Sequence, residues 1–158
     1  MKTIIIYSTK HNFTKKCAEL LSEKLQGQVE LFNLRQGNEV NLKAYDKVIL
    51  GGSIYMGQIQ KQVSQYCLEN LNELKEKKLG LFICCMQKDD SAVKQLNEAF
   101  PQELVTKAVA KNVFGGGFSF SSMNFFEKLI TRKVAKVKED TSVIFEKNIM
   151  EFAERING

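Results

Sequence analysis

The sequence predicts an open α/β fold: a doubly wound, five-stranded parallel sheet with helices on both faces. Three observations carry this expectation. Short apolar runs with strand character alternate along the chain with amphipathic stretches of helical period. The fourth run, Leu79 to Cys85, is almost wholly apolar, as suits a strand covered on both faces. Five such runs suit the strand order 2-1-3-4-5, in which a ligand sits at the carboxyl ends of the strands where the order reverses.

The elements follow in sequence. Met1 to Tyr7 forms the first strand, and Lys15 to Gln26 a helix with Ala18, Leu21 and Leu25 on one face, stopped by Gly27. Val29 to Leu34 alternates as the second strand. Asn41 to Tyr45 is a short turn, and Lys47 to Leu50 the third strand. A long helix is expected from Gln58 to Lys75, with Val63, Tyr66, Cys67, Leu71 and Leu74 inward. After the fourth strand come a helix over Ser91 to Phe100, ended by Pro101, and a fifth strand over Ala108 to Phe114. A basic helix is expected from Asn124 to Val137. Asp140-Thr141-Ser142 reads as the cap of a last helix with Phe145, Ile149, Phe152 and Ile156 on one face.

Composition narrows the class. At 158 residues the chain reads as one domain, with 44% hydrophobic and 26% charged residues. No apolar run approaches the ~20 residues of a membrane-spanning helix. No signal sequence fits before the first strand, so a cytoplasmic protein is expected. Cys17, Cys67, Cys84 and Cys85 form no Cys-x-x-Cys pair, and with a single histidine they make a poor metal set. They read as reduced, buried thiols. The net charge of +5 suggests an anionic ligand, partner or surface. No nucleic-acid-binding motif accompanies it.

The turn after the first strand is the most informative segment. Ser8-Thr9-Lys10-His11-Asn12-Phe13-Thr14 joins a strand to a helix start. Unpaired backbone N–H groups and the helix dipole favour an anion there, and the hydroxyls of Ser8, Thr9 and Thr14 add donors for phosphate oxygens. The turn has neither the glycine spacing and Lys-Ser/Thr end of a nucleoside triphosphate loop nor the three glycines of a dinucleotide fingerprint. At the end of the third strand, Gly51-Gly52-Ser53-Ile54-Tyr55-Met56-Gly57 offers backbone that can approach a flat ring and an aromatic side chain that can lie against it. After the fourth strand, Met86 and Gln87 lie at the same predicted edge, and the Gln87 amide can meet a ring's polar rim.

These motifs resemble the flavodoxin family, whose phosphate loop usually reads Ser/Thr-x-Thr-Gly-x-Thr. Aligned on the last hydroxyl, the first and last hydroxyls are Thr9 and Thr14, His11 replaces the middle one and Asn12 replaces the glycine. Asparagine tolerates positive φ, so the turn survives. The Gly-Gly-Ser-Ile-Tyr-Met-Gly run and the late Gly115-Gly116 before an aromatic, basic stretch are similar to the branch that includes menaquinone-dependent protoporphyrinogen dehydrogenase. The resemblance covers nearly the whole chain and is weakest around Lys88 to Phe100, where those dehydrogenases typically carry a longer insertion. It implies FMN as cofactor, with Ser8, Thr9, Lys10, His11, Asn12, Phe13 and Thr14 at its phosphate. Gly52, Ser53, Ile54, Tyr55, Met56, Gly57, Met86 and Gln87 would then lie at its ring. The redox chemistry would belong to the flavin, and no side chain need be catalytic.

Three functions stay open on these residues. The first is a flavodoxin-family redox protein passing electrons to or from a partner protein or small substrate. The second is a quinone-coupled flavin dehydrogenase. The third is a binding module on the same fold without flavin. Phe125 to Lys138 bears on the second, because five cations stand there against the one carboxylate of Glu127 on an otherwise apolar stretch. Such a helix suits either solvent or peripheral contact with anionic lipid.

Overall fold

The computed structural model describes residues 1–9, 12–37, 39–85, 89–118 and 141–158. The basic stretch expected as a helix over Asn124 to Val137 lies outside the described residues. So do Lys10, His11, Met86 and Gln87.

The chain forms β1 (Lys2–Tyr7), α1 (Phe13–Lys24), β2 (Gln28–Asn33), β3 (Lys47–Tyr55), β4 (Gln58–Ile59), α2 (Lys61–Glu69), α3 (Leu71–Leu74), β5 (Lys78–Cys84), α4 (Asp89–Ala99), α5 (Gln102–Lys107), β6 (Ala110–Val113), β7 (Gly115–Phe118), β8 (Thr141–Ile144) and α6 (Glu146–Asn157). The main sheet runs β2-β1-β3-β5-β6, all parallel, with the short β4 folded back antiparallel on the end of β3. With β4 set aside, this is the expected order 2-1-3-4-5.

Apolar side chains alternate to the two faces of the sheet and divide the core into two clusters. One holds Ile4, Ile6, Val48, Leu50, Leu79 and Leu81 against residues of α2, α4 and α5. The other holds Ile5, Ile49 and Phe82 against Cys17, Ala18 and Leu21 of α1 and Ile149, Phe152 and Ile156 of α6. Phe82, Phe114 and Phe152 form a ring cluster in that second layer. Phe82 and Phe114 stack at 4.5 Å, and Phe152 meets Phe114 edge-on at 5.1 Å.

Four expectations are corrected. The stretch 58–75 is not one helix. Gln58 and Ile59 pair back onto Tyr55 and Ile54, and the helix breaks at Asn70, whose side-chain amide donates to the Tyr66 carbonyl. The third strand runs on through Gly51 to Tyr55, because Gly51, Gly52 and Ser53 keep their pairing with Phe82, Ile83 and Cys84. Pro101 ends one helix and starts another, α5. Thr141 and Ser142 belong to β8, paired antiparallel with β7, and the last helix begins only at Glu146.

The amino ends of the strands carry lysines that close the last helix. Lys47, 6% exposed, donates to the Ile156 carbonyl at 2.9 Å, and Lys78 donates to that of Gly158. Cations suit carbonyls at a helix C-terminus. Burial lowers the pKa of Lys47, and the neighbouring Lys78 adds to that while Asp46 opposes it.

All four cysteines are free and buried. Burial pushes the Cys67 thiol up to about 12. The folded chain therefore holds a proton that the unfolded chain releases near pH 9. That contribution to stability is complete below pH 9 and is lost as pH rises toward 12, at about 1.4 kcal/mol per unit. Melting temperature should accordingly fall above pH 9, and less steeply in Cys67→Ala than in the native chain. Parallel curves for the two proteins would show that the thiol does not set this dependence.

Candidate functional site

Register builds the site. Tyr7 pairs with Asn33 on one side and with Gly51 on the other, so the segments following β1, β2 and β3 leave the sheet side by side. The Ser8 N–H donates to the Gly51 carbonyl at 3.3 Å, tying the first loop to the third strand. Ser53 pairs with Cys84, which brings the end of β5 to the same edge.

In the first loop Asn12 takes φ 65°, the left-handed conformation that the family's glycine would adopt with less strain. It stands at the N-cap of α1 but makes no side-chain cap hydrogen bond, and the first turn carries no acidic residue. The leading amides of α1 are therefore left for another acceptor. The hydroxyls of Ser8, Thr9 and Thr14 lie in the same turn at 0%, 5% and 1% residue exposure, and none has a hydrogen-bond partner. Three buried, unpaired donors in one turn are costly unless a ligand accepts from them.

Below this turn lie two thiols, Cys17 and Cys84, with sulfurs 3.8 Å apart. Burial raises the pKa of Cys84 well above its ordinary value and Cys17 adds to this, while the nearby Thr14 hydroxyl opposes it. That hydroxyl lies near the sulfur without hydrogen-bond geometry. The Cys84 thiol is thereby held toward its neutral form, and both cysteines are buried in the core layer beneath α1.

The second loop is a hairpin. Ile54 pairs with Ile59 and Tyr55 with Gln58, leaving Met56 (φ 53°) and Gly57 (φ 80°) as a two-residue turn of the primed type. Gln60 fixes it from below: its side-chain oxygen accepts from the Ser53 N–H at 2.8 Å, and its amide donates to the Ser53 hydroxyl at 2.5 Å. The glycines differ in role. A side chain at Gly51 would meet the Phe82 ring at 2.0 Å, and one at Gly52 would meet Gln60 and Ile59 at 2.7 and 2.9 Å. Protein fills those spaces, so these two glycines serve strand packing. Gly57 faces open space. Met56 is 70% exposed at the tip. A non-glycine residue held left-handed costs about 1 kcal/mol, so Met56→Gly should raise stability by about that amount in denaturant titration.

Ser8, Thr9, Asn12, Phe13, Thr14 and Gly52 to Gly57 thus share one edge of the sheet, at the point where strand order reverses. Two residues not singled out from sequence belong with them. Gln60 braces the hairpin. Arg35, in the turn after β2, donates through Nη1 to the Thr9 carbonyl at 3.1 Å. Gln60 was hidden inside a presumed helix. Arg35 had no local signal, because its partner lies 26 residues away.

The arrangement is that of an open α/β protein with unpartnered hydroxyls and a helix start without a side-chain cap at its switch point. The family model described as the flavodoxin domain matches residues 4–143, and the chain belongs to that family. The chain is 22% identical over 145 residues to a protoporphyrinogen IX dehydrogenase [quinone] of Leishmania major. That match takes in 86% of this chain and 63% of the relative, so the chain spans less than two thirds of the relative's length. Among solved structures, the WrbA-like flavodoxin of Agrobacterium tumefaciens matches with a TM-score of 0.58 at 16% identity, covering 99% of this chain and 95% of that one. Oxidised flavodoxin 1 of Bacillus cereus matches at 0.57 and 14%, covering 99% and 97%. A variant flavodoxin of Fusobacterium nucleatum bound to flavin mononucleotide matches at 0.51 and 16%, covering 98% and 94%. At these identities the structures speak for the fold.

Proposed function

We propose that this protein binds FMN at the carboxyl edge of its sheet and serves as a redox protein, exchanging electrons with a partner protein or a small substrate. The observation that carries the reading is the set of three buried hydroxyls without partners at the uncapped start of α1. Phosphate oxygens accept from hydroxyls and amides alike, and a helix start adds favourable potential. Ser8, Thr9, Thr14 and the first amides of α1 would hold the phosphate. The Tyr55–Gly57 hairpin, braced by Gln60, would border the ring. When bound, the flavin supplies the electron chemistry. The chain's own part is to bind, orient and shield it. The dehydrogenase relative favours a small quinone as the substrate and supports the enzymatic form of this reading.

The test is direct. Purified protein soaked with FMN should come out yellow after gel filtration. Denaturation and chromatography of the released cofactor should then recover FMN. Recovery of FAD overturns the assignment of FMN, and a colourless protein after soaking overturns the proposal in favour of a binding module without flavin. Turnover of a soluble quinone with loaded protein would separate enzyme from carrier.

A further inference from the structure

We infer that Arg35 is a positioning and selectivity residue for the phosphate end of the ligand, a role that rests on the FMN reading. Its placement follows from the sequence upward. Asn33 ends β2 beside Tyr7 of β1. Its side-chain oxygen accepts from the Arg35 N–H at 3.0 Å and caps a single 3-10 turn, Leu34–Gln36. Leu34 is buried at 7% exposure and anchors that turn to the core. Gly37 closes it with φ 150° and donates back to the Leu34 carbonyl. The turn is thereby fixed at both ends, and Arg35 reaches across to the strand beside it.

What it reaches is the backbone of the loop itself. Nη1 donates to the carbonyl of Thr9, the residue whose own hydroxyl is buried without a partner. One contact does two things. It holds the Thr9 peptide in place and so sets where the Thr9 hydroxyl stands. It also brings a permanent positive charge to a turn whose described residues carry no other. Lys15 and Lys16, on α1, are exposed to solvent, as is Arg35, whose hydrogen bond to Thr9 ties it to the turn. The rest of the Arg35 side chain lines an open cavity of about 260 Å³ with Gln62, Tyr66 and Glu69, so Glu69 is the acidic group of that wall. The Gln65 amide donates to Glu69 at 3.0 Å.

A bound phosphate monoester has two ionisation states near neutral pH. A fixed cation beside it favours the dianion and lowers its second pKa. Arg35 should therefore select phosphorylated over unphosphorylated flavin, beyond what the hydroxyls achieve.

The experiment compares native protein, Arg35→Gln and Arg35→Lys in three measurements. In flavin titrations, Arg35→Gln should lose FMN affinity roughly tenfold while riboflavin affinity changes little, and Arg35→Lys should recover much of the loss. In ³¹P NMR of the FMN complexes, the phosphate should titrate at higher pH in Arg35→Gln than in the native protein. In thermal melts, millimolar inorganic phosphate should stabilise the native protein and Arg35→Lys, but not Arg35→Gln. Equal loss for FMN and riboflavin, with an unmoved phosphate titration, would make Arg35 a purely structural brace and overturn the inference. A native protein that binds no flavin would overturn the FMN reading. The phosphate melts would still decide Arg35: equal stabilisation of all three proteins, or none of any, refutes its role.

Discussion

Replacing Thr9 and Thr14 together with valine should weaken FMN binding on the order of a hundredfold or more. Each hydroxyl donating to a charged acceptor contributes roughly 1.5–3 kcal/mol, and ~1.4 kcal/mol is a factor of ten. Riboflavin lacks the acceptor, so its affinity should change little. The structure adds a second, opposite expectation. Both hydroxyls are buried without protein partners, and an unsatisfied buried donor costs about 1–3 kcal/mol. Valine keeps the shape and removes the donor, so the ligand-free variant should melt no lower than the native protein. The combination is diagnostic of a binding site: affinity falls while stability holds or rises. A variant that loses FMN and riboflavin equally and also melts lower would mean that the two threonines act by shaping the turn.

The second large effect is at Gly51. An added methyl would stand 2.0 Å from the Phe82 ring, which is fully buried and stacked on Phe114. Neither side can give way easily, since β3 is paired on both edges there. Gly51→Ala should cost roughly 3 kcal/mol, at the upper end of overpacking. For a chain of this size that corresponds to a fall of about 6–12 °C in melting temperature. Shortening the ring should relieve part of it. Gly51→Ala combined with Phe82→Leu should be less destabilised than the two single costs together, by about 1 kcal/mol or more. Strict additivity in urea titrations would show that the glycine answers some other constraint.

How far the sequence could be read depended on the range of the interactions. The five core strands and their order were legible because apolar runs and helical periods are local patterns. Asn12 was legible too, because its turn conformation follows from its own side chain. The β7–β8 hairpin was not. Gly115-Gly116-Gly117 has the composition of a loop, and Asp140-Thr141-Ser142 has that of a helix cap, so pairing between distant segments overrode both local signals. The turn at Met56-Gly57 escaped notice because methionine occupies a place that such hairpins usually give to asparagine or glycine. In the candidate site, the hydroxyls of the first loop were legible as a group because Ser8, Thr9 and Thr14 are close in sequence. Their braces were not, since Arg35 and Gln60 act through contacts that only the folded chain creates.

The ring cluster beneath β3 has a consequence for the order in which the protein is made. The described loops of the candidate site lie within residues 8–59, and a ribosome completes them early. The ring cluster beside their strand comes from Phe82, then Phe114, and finally Phe152, all later in the chain than those loops. Until α6 emerges, the face of β5 and β6 that it covers stays open to water and to other nascent chains. Cofactor capture should therefore wait for Phe152, and chains arrested before it should be colourless and prone to aggregate even though every described loop residue of the site is already present.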